Sequence, residues 1–259
     1  MAFVPHISVI NKHSTITDVE IQKACAAIQK QVSNDLKSWW GFDAVVVAYP
    51  KSEVGVPDGS WRVYFQDKID IDLAGYHSVD YKKVPVAYLE NRDIFITIQD
   101  DWTVILSHEI VEMVVNPFVD KFIKGNIDYQ NITESVEYIM EISDPCQSDV
   151  YKIDDVWVSD FVTPSYYTDV ITQAGKKYSF TGAITAPLSL NNGGYFSFKR
   201  LNQWYQAVKD NFFTTIKKLG DSEPLNSNQQ IEFAYLVVGG LAVLAVTIFA
   251  VKRIKSKSA

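Results

Sequence analysis

Residues 102–115 read WTVILSHEIVEMVV. The run is apolar at most positions and contains neither Gly nor Pro. Asp100 and Asp101 precede it, and Pro117 follows it. An acidic cap before an apolar run and a proline shortly after it bracket a helix. Past Thr103, four polar residues interrupt the run, and they fall together as Ser107, His108, Glu109 and Glu112. Residues four apart on a helix project from one face, so His108 and Glu112 could hold one metal ion between them. Glu109 is turned about 100° round the helix from His108, which places it for a water beside such an ion rather than for the ion itself. A plain reading competes with this one, in which both glutamates line a solvated face and His108 sits at its border.

A catalytic zinc usually has three protein ligands and an open position. The chain has four histidines, His6, His13, His77 and His108, and a carboxylate is the expected third ligand. Downstream, Asn131 and Glu134 have capping-box spacing, and Glu134, Glu137 and Glu141 recur at helical spacing. The spacing predicts a helix over Ile132–Ser143. Asn131-Ile132-Thr133 is also a glycosylation sequon, but capping is the preferred reading. Glu141 is the candidate third ligand, with a solvated acidic stripe as its alternative. Asp144 is the candidate for orienting His108 from behind. His77 reads first as a surface or core histidine, with a place on an edge strand near the cleft as its alternative. Tyr166, Tyr167 and Tyr195 read first as packing residues, with donation to an oxyanion as theirs.

At this point the chain resembles a known grouping. A His-Glu-x-x-His helix followed by a later helix carrying a Glu, with an Asp soon after, is the plan of the gluzincin branch of the zincins. HEIVE followed by EISD is similar to that plan with one ligand exchanged. SHEIVEMVVNP, EISDPC, VSDFVTP, YSFTGAI and NNGGYFSF also resemble an uncharacterised group of zincin-like proteins from bacteria and their viruses, over about residues 70–205. The resemblance implies a metallopeptidase-like fold, with His108, Glu112 and Glu141 as metal ligands and Glu109 as general base. Asp144 lies three residues after Glu141, where gluzincins place it four after. Glu112 is a harder ligand than His, which weakens selectivity for zinc.

Around this segment the sequence predicts an α+β domain over residues 1–220, a twisted mixed sheet packed on the first helix and the motif helix. Strands are expected at residues 7–10, 44–48, 61–66, 74–79, 85–89 and 94–98. A first helix is expected over Asp18–Trp40, opened by a Thr17/Glu20 capping box and stopped by Gly41. Residues 150–153 and 156–162 read as a hairpin turning at Asp154-Asp155. Ser179–Phe198 reads as loops with a short strand. Leu201, Trp204, Val208, Phe212 and Leu219 suggest a last amphipathic helix ended by Gly220.

Residues 221–232 are polar and form a linker. Residues 233–251 (FAYLVVGGLAVLAVTIFAV) carry no charge and approach the ~20 residues that span a bilayer core. Residues 252–259 form a basic tail with Lys252, Arg253, Lys255 and Lys257. The lipid bilayer is thus the expected partner of the C-terminal helix, giving a single-pass membrane protein. The positive-inside rule and the lack of an N-terminal signal pull the topology in opposite directions. A net charge of −7, with no basic stripe, argues against a nucleic-acid partner. Cys25 and Cys146 form no CxxC, which excludes zinc-ribbon and thioredoxin-type motifs. The function expected from these readings is metal-dependent hydrolysis of a peptide bond at one divalent ion, with zinc preferred. The alternative is a non-catalytic structural or binding module of a virion or cell envelope.

Overall fold

A computed structural model of the chain describes residues 3–69, 74–91, 101–129, 132–211 and 213–221. These residues form an α+β arrangement in which sheets dominate and helices are few. The strand expected at 94–98, the expected transmembrane segment and the basic tail lie outside them, as does all of the expected linker except Asp221. Among the described residues no helix is long and apolar enough to cross a membrane.

The first sheet collects β1 (His6–Asn11), β2 (Val45–Tyr49), β3 (Trp61–Gln66), β4 (Gly75–Val79) and β5 (Pro85–Glu90) in the order β2-β1-β3-β5-β4. Four strands run parallel, and β4 lies antiparallel at the edge. Helix α1 (Asp18–Lys30) packs against β1 and β2. Its capping box forms as the sequence predicts, with Thr17 accepting from the Glu20 amide and Glu20 accepting from the Thr17 amide. Ile21, Cys25 and Ile28 fill its buried stripe. The helix continues through a π-helical stretch, Gln31–Leu36, into α2 (Lys37–Trp40). Gly41 ends it at φ 74°, a left-handed conformation that glycine adopts without strain.

The motif segment is helix α3 (Trp102–Val115), capped by Asp101, whose side chain accepts from the Thr103 amide. It is buried along almost its whole length and packs on β4 and β5. The expected pairing of a mixed sheet with the first helix and the motif helix is therefore present.

Two helix expectations fail. Residues 132–139 are not helical. They form β7 (Ile132–Ile139), the partner of β6 (Phe122–Tyr129) in an antiparallel hairpin. Val136 and Tyr138 point inward, while Ser135 and Glu137 stay more open, which is the two-residue period of a half-buried strand. The last amphipathic helix is also absent. Its residues form β11 (Gln203–Lys209) and β12 (Thr214–Asp221). With β10 (Tyr195–Arg200), these strands complete a second sheet in the order β12-β11-β10-β7-β6.

Between them, β8 (Val150–Ile153) and β9 (Val156–Ser159) make the expected hairpin, turning at Asp154 and Asp155 with φ of 47° and 63°. Positive φ at both turn residues matches the twist of the flanking strands. A short helix, α4 (Pro164–Thr168), follows. One apolar core joins the two sheets, with Val63, Phe65, Leu106, Ile110, Val136 and Phe198 all fully enclosed.

Candidate metal centre

Helix α3 is anchored before it presents any chemistry. The Thr103 hydroxyl donates to the Trp157 carbonyl at 2.8 Å. The Ser107 hydroxyl accepts from the Ser159 amide at 2.7 Å. Both contacts tie the helix to β9. Against β4, a glycine permits the approach: a Cβ at Gly75 would stand 3.1 Å from Ile105 Cγ2 and 3.2 Å from Glu109 Oε1. With the helix held there, His108, Glu109 and Glu112 meet the turn that follows β7.

His108, Glu112 and Asp144 converge. His108 Nε2 lies 3.4 Å from Glu112 Oε2 and 3.2 Å from Asp144 Oδ1. Donor atoms around a tetrahedral zinc, each about 2.0–2.1 Å from the ion, stand about 3.3 Å apart. The observed spacing matches that edge. The other Glu112 oxygen, Oε1, accepts from the amides of Ser143 at 2.9 Å and Asp144 at 3.3 Å. Those bonds aim Oε2 at the histidine, as an outer shell does for a ligating carboxylate.

A second cluster adjoins the first. His77, on the edge strand β4, places Nδ1 3.3 Å from Glu109 Oε2 and 3.9 Å from Glu112 Oε2. Its Nε2 faces the Asn116 carbonyl at 3.3 Å and Glu141 Oε2 at 3.6 Å. Asn116 Nδ2 donates to Glu141 Oε1 at 3.3 Å. Glu141 therefore stands against His77, and Asp144 stands at the nitrogen of His108 that faces Glu112. His6 and His13 lie elsewhere, His6 against Tyr49 and His13 accepting from the amides of Thr15 and Ile16.

These groups are enclosed. Glu109, Glu112, Glu141 and Asp144 are between 1 and 4 % exposed, and the His108 side chain, at 12 %, is the most open member. Among the described residues no Lys or Arg pairs with any of the four carboxyls. Burial, then the charge on Glu112, pushes Asp144 from the ordinary 3.8 up to about 8. The same two causes hold Glu141 well above the usual carboxyl range. Burial opposes a charge on His108, but Glu112 and Asp144 outweigh it and raise the imidazole well above 6.5. At His77 burial is likewise overcome, chiefly by Glu109. Burial alone would raise Glu112, yet the charge on His108 prevails and lowers it. Without a cation, the cluster relieves its negative charge by taking up protons.

The donor set suits a metal ion. Glu141 Oε2 is buried without a hydrogen-bond partner, and the buried Asp144 carboxyl has His108 and the Tyr195 hydroxyl beside it. An unsatisfied buried polar atom costs about 1–3 kcal/mol, more when charged, and a cation removes that cost. Two groups, His77/Glu109/Glu112 and His108/Glu112/Asp144, could each hold an ion.

His77 is the member that sequence reasoning missed. Its one signal was a position on an expected edge strand near the cleft, too weak to separate it from an ordinary core histidine. Of the tyrosines, Tyr166 is buried in the core, the buried Tyr195 hydroxyl reaches the Asp144 carboxyl, and the Tyr167 hydroxyl donates to the Glu141 carbonyl at 3.2 Å. Known protein families, curated proteins and solved structures offer no match to this chain.

Proposed function

We propose that the chain is a membrane-anchored, metal-dependent hydrolase of zincin type, acting on peptide bonds at a divalent ion. The observation that carries this reading is the convergence of Glu112 Oε2, at 3.4 Å, and Asp144 Oδ1, at 3.2 Å, on His108 Nε2 in an enclosed cluster. Zinc is the proposed ion, although one imidazole and two carboxylates make a harder set than a His-rich site. A bound ion would supply Lewis acidity, polarising the scissile carbonyl and lowering the pKa of an attacking water.

The residues of the chain do the rest. His108 and the two carboxylates position the ion. Glu109 lies outside that trio and is the proposed general base, taking a proton from the water and returning it to the leaving amine. His77 Nδ1, 3.3 Å from Glu109 Oε2, fixes the rotamer of that base. The peptide substrate and the bilayer are proposed partners. The bilayer rests on the apolar residues 233–251 and the basic tail behind them.

Glu109→Gln tests the role of the base. The variant keeps the size of the side chain and removes the basic oxygen. It should fold, keep an ion at His108, and lose about 10²–10⁴ in turnover on a mixed-peptide substrate. Loss of that ion would instead make Glu109 its ligand and remove the base assignment.

Burial favours a second reading. With Glu109, Glu112 and Asp144 only 1–2 % exposed, a closed ion could serve structure alone, in a binding module of a virion or cell envelope. A wild-type protein that binds its ion and cleaves no peptide in a metal-dependent way favours that reading.

A further inference from the structure

We propose that this centre takes two divalent ions, the second held by His77 Nδ1, Glu109 Oε2 and Glu112 Oε2, with Glu112 shared between them. The proposal rests on the metal-site reading above and adds a position to it.

Geometry is the first argument. His77 Nδ1 is 3.3 Å from Glu109 Oε2 and 3.9 Å from Glu112 Oε2. The three ligand atoms lie within 4.8 Å of one another. The 3.3 Å edge matches those at the His108 position, and the 3.9 Å edge is wider than a tetrahedral zinc's and would close on binding. The two imidazoles fall in separate clusters joined only by Glu112. One ion does not gather them both, whereas a carboxylate-bridged pair uses each.

The orientation of His77 is the second argument. Its Nε2 faces the Asn116 carbonyl at 3.3 Å. A carbonyl only accepts, so a neutral His77 carries its proton on Nε2 and leaves the Nδ1 lone pair bare. Nδ1 faces Glu109 Oε2 and Glu112 Oε2, a contact that needs either a second ring proton or a metal ion in that proton's place. An Nε2–H held by a backbone carbonyl and a free Nδ1 aimed at carboxylate oxygens is the arrangement of a metal-ligating histidine.

Charge is the third argument. Four carboxylates share one enclosed space with two imidazoles and no Lys or Arg partner among the described residues. With all four ionised, one divalent ion answers two of the charges and a second answers the other two. Uncompensated charge in such a space is costly. Glu141, 4 % exposed, stands at the other ring nitrogen, its Oε2 3.6 Å from His77 Nε2, and so helps to hold Nδ1 toward Glu109 and Glu112.

Filling the second position engages the Glu109 carboxylate that hydrolysis needs free. In a hydrolase the second ion is therefore inhibitory.

The full-length protein, stripped by a chelator and kept in detergent, should be titrated calorimetrically with Zn²⁺ and its metal content measured. Two ions per chain are expected, falling to one in His77→Gln with the His108 position retained. One ion per chain in the wild type overturns the second position and leaves the single-ion reading standing. No bound ion overturns both. Two ions retained in His77→Gln also overturn the proposal. Should that variant fail to fold, anomalous scattering from wild-type crystals grown with Zn²⁺ decides. Two peaks about 3.5–4 Å apart, flanking Glu112, are expected, and a lone peak sinks the idea.

Discussion

Asp144 and Glu141 differ in where their oxygens point, and this sets apart what each variant should do. Asp144 Oδ1 stands 3.2 Å from His108 Nε2, so it is placed to touch an ion at His108. Glu141 stands instead at His77, 3.6 Å away, and accepts from Asn116. Removing an outer-shell partner typically costs about 10–100-fold in metal affinity. Asp144→Ala should exceed that range at the His108 position, while Glu141→Gln should stay within it. Zinc titration of both variants checks the order, and a reversal would restore Glu141 to the ligand set. The same carboxyl sets a pH dependence. Burial and the charge on Glu112 raise Asp144 from 3.8 to about 8 in the folded chain. Between those values the metal-free folded protein holds a proton that the unfolded chain releases, so its stability falls as pH rises through the window. His108, whose imidazole is raised above 6.5, adds to the fall, because its protonated form also favours the folded state. Metal binding must displace these protons, so ion affinity should rise over the same window. Thermal melts of chelated protein across that range should show a falling midpoint, and zinc-loaded protein should lose the trend. A chelated midpoint that climbs with pH would mean that the cluster is not proton-loaded.

The elements that carry the site were unequally legible. Helix α3 was plain, because an unbroken apolar run with an Asp cap and a following Pro leaves few alternatives. The strand carrying the approach to Glu141 was not. Asn131 and Glu134 mimicked a capping box, and the glutamates at 134, 137 and 141 happened to recur at helical spacing. The competing signal, Ile, Thr, Val, Tyr and Ile with Val136 and Tyr138 alternating inward, was the one that tertiary pairing obeyed. Residues 201–219 misled in the same way. Leu201 and Asn202 form the two-residue turn between β10 and β11, both with positive φ, and only Asn202 announces such a turn in sequence. Glu141 and Asp144 consequently come from a turn, Asp144 from its short 3-10 segment, and not from a second long helix. That turn is braced from β10. A Cβ at Gly194 would lie 2.2 Å from the Pro145 carbonyl oxygen, a backbone atom that cannot swing aside. Gly194→Ala should therefore cost about 1–3 kcal/mol as overpacking, and it should weaken zinc binding by shifting Asp144. Gly41→Ala is the control, since no atom lies within 4 Å of its added Cβ and only the φ of +74° is strained. It should cost about 1–2 kcal/mol and leave zinc affinity unchanged. Urea midpoints with zinc titrations separate the two, and equal zinc affinity in both variants would show that β10 does not brace the site.

At the scale of the whole molecule, the described residues form one body around a shared core, and the apolar C-terminal stretch is sequence evidence only. The place to divide them follows from strand pairing. β12 pairs with β11 through Asp221, opposite Gln203, so a cut before that residue would strip hydrogen bonds from the sheet. A chain ending at Asp221 keeps the strand and removes residues 222–259, whose central nineteen residues carry no charge. Burial of apolar surface in lipid by a segment of about that length outweighs any aqueous state for it. The shortened chain should stay in the aqueous phase on detergent phase separation, keep its melting midpoint and bind zinc as the full chain does. The full chain should enter the detergent phase and resist alkaline extraction from membranes. If the full chain remains aqueous without lipid or detergent, the anchor is wrong and residues 233–251 must pack on the domain. The shortened chain would then melt lower and expose an apolar face. If both chains bind zinc equally but only the full one enters detergent, the metal centre and the membrane anchor are independent, as their separation along the chain leads us to expect.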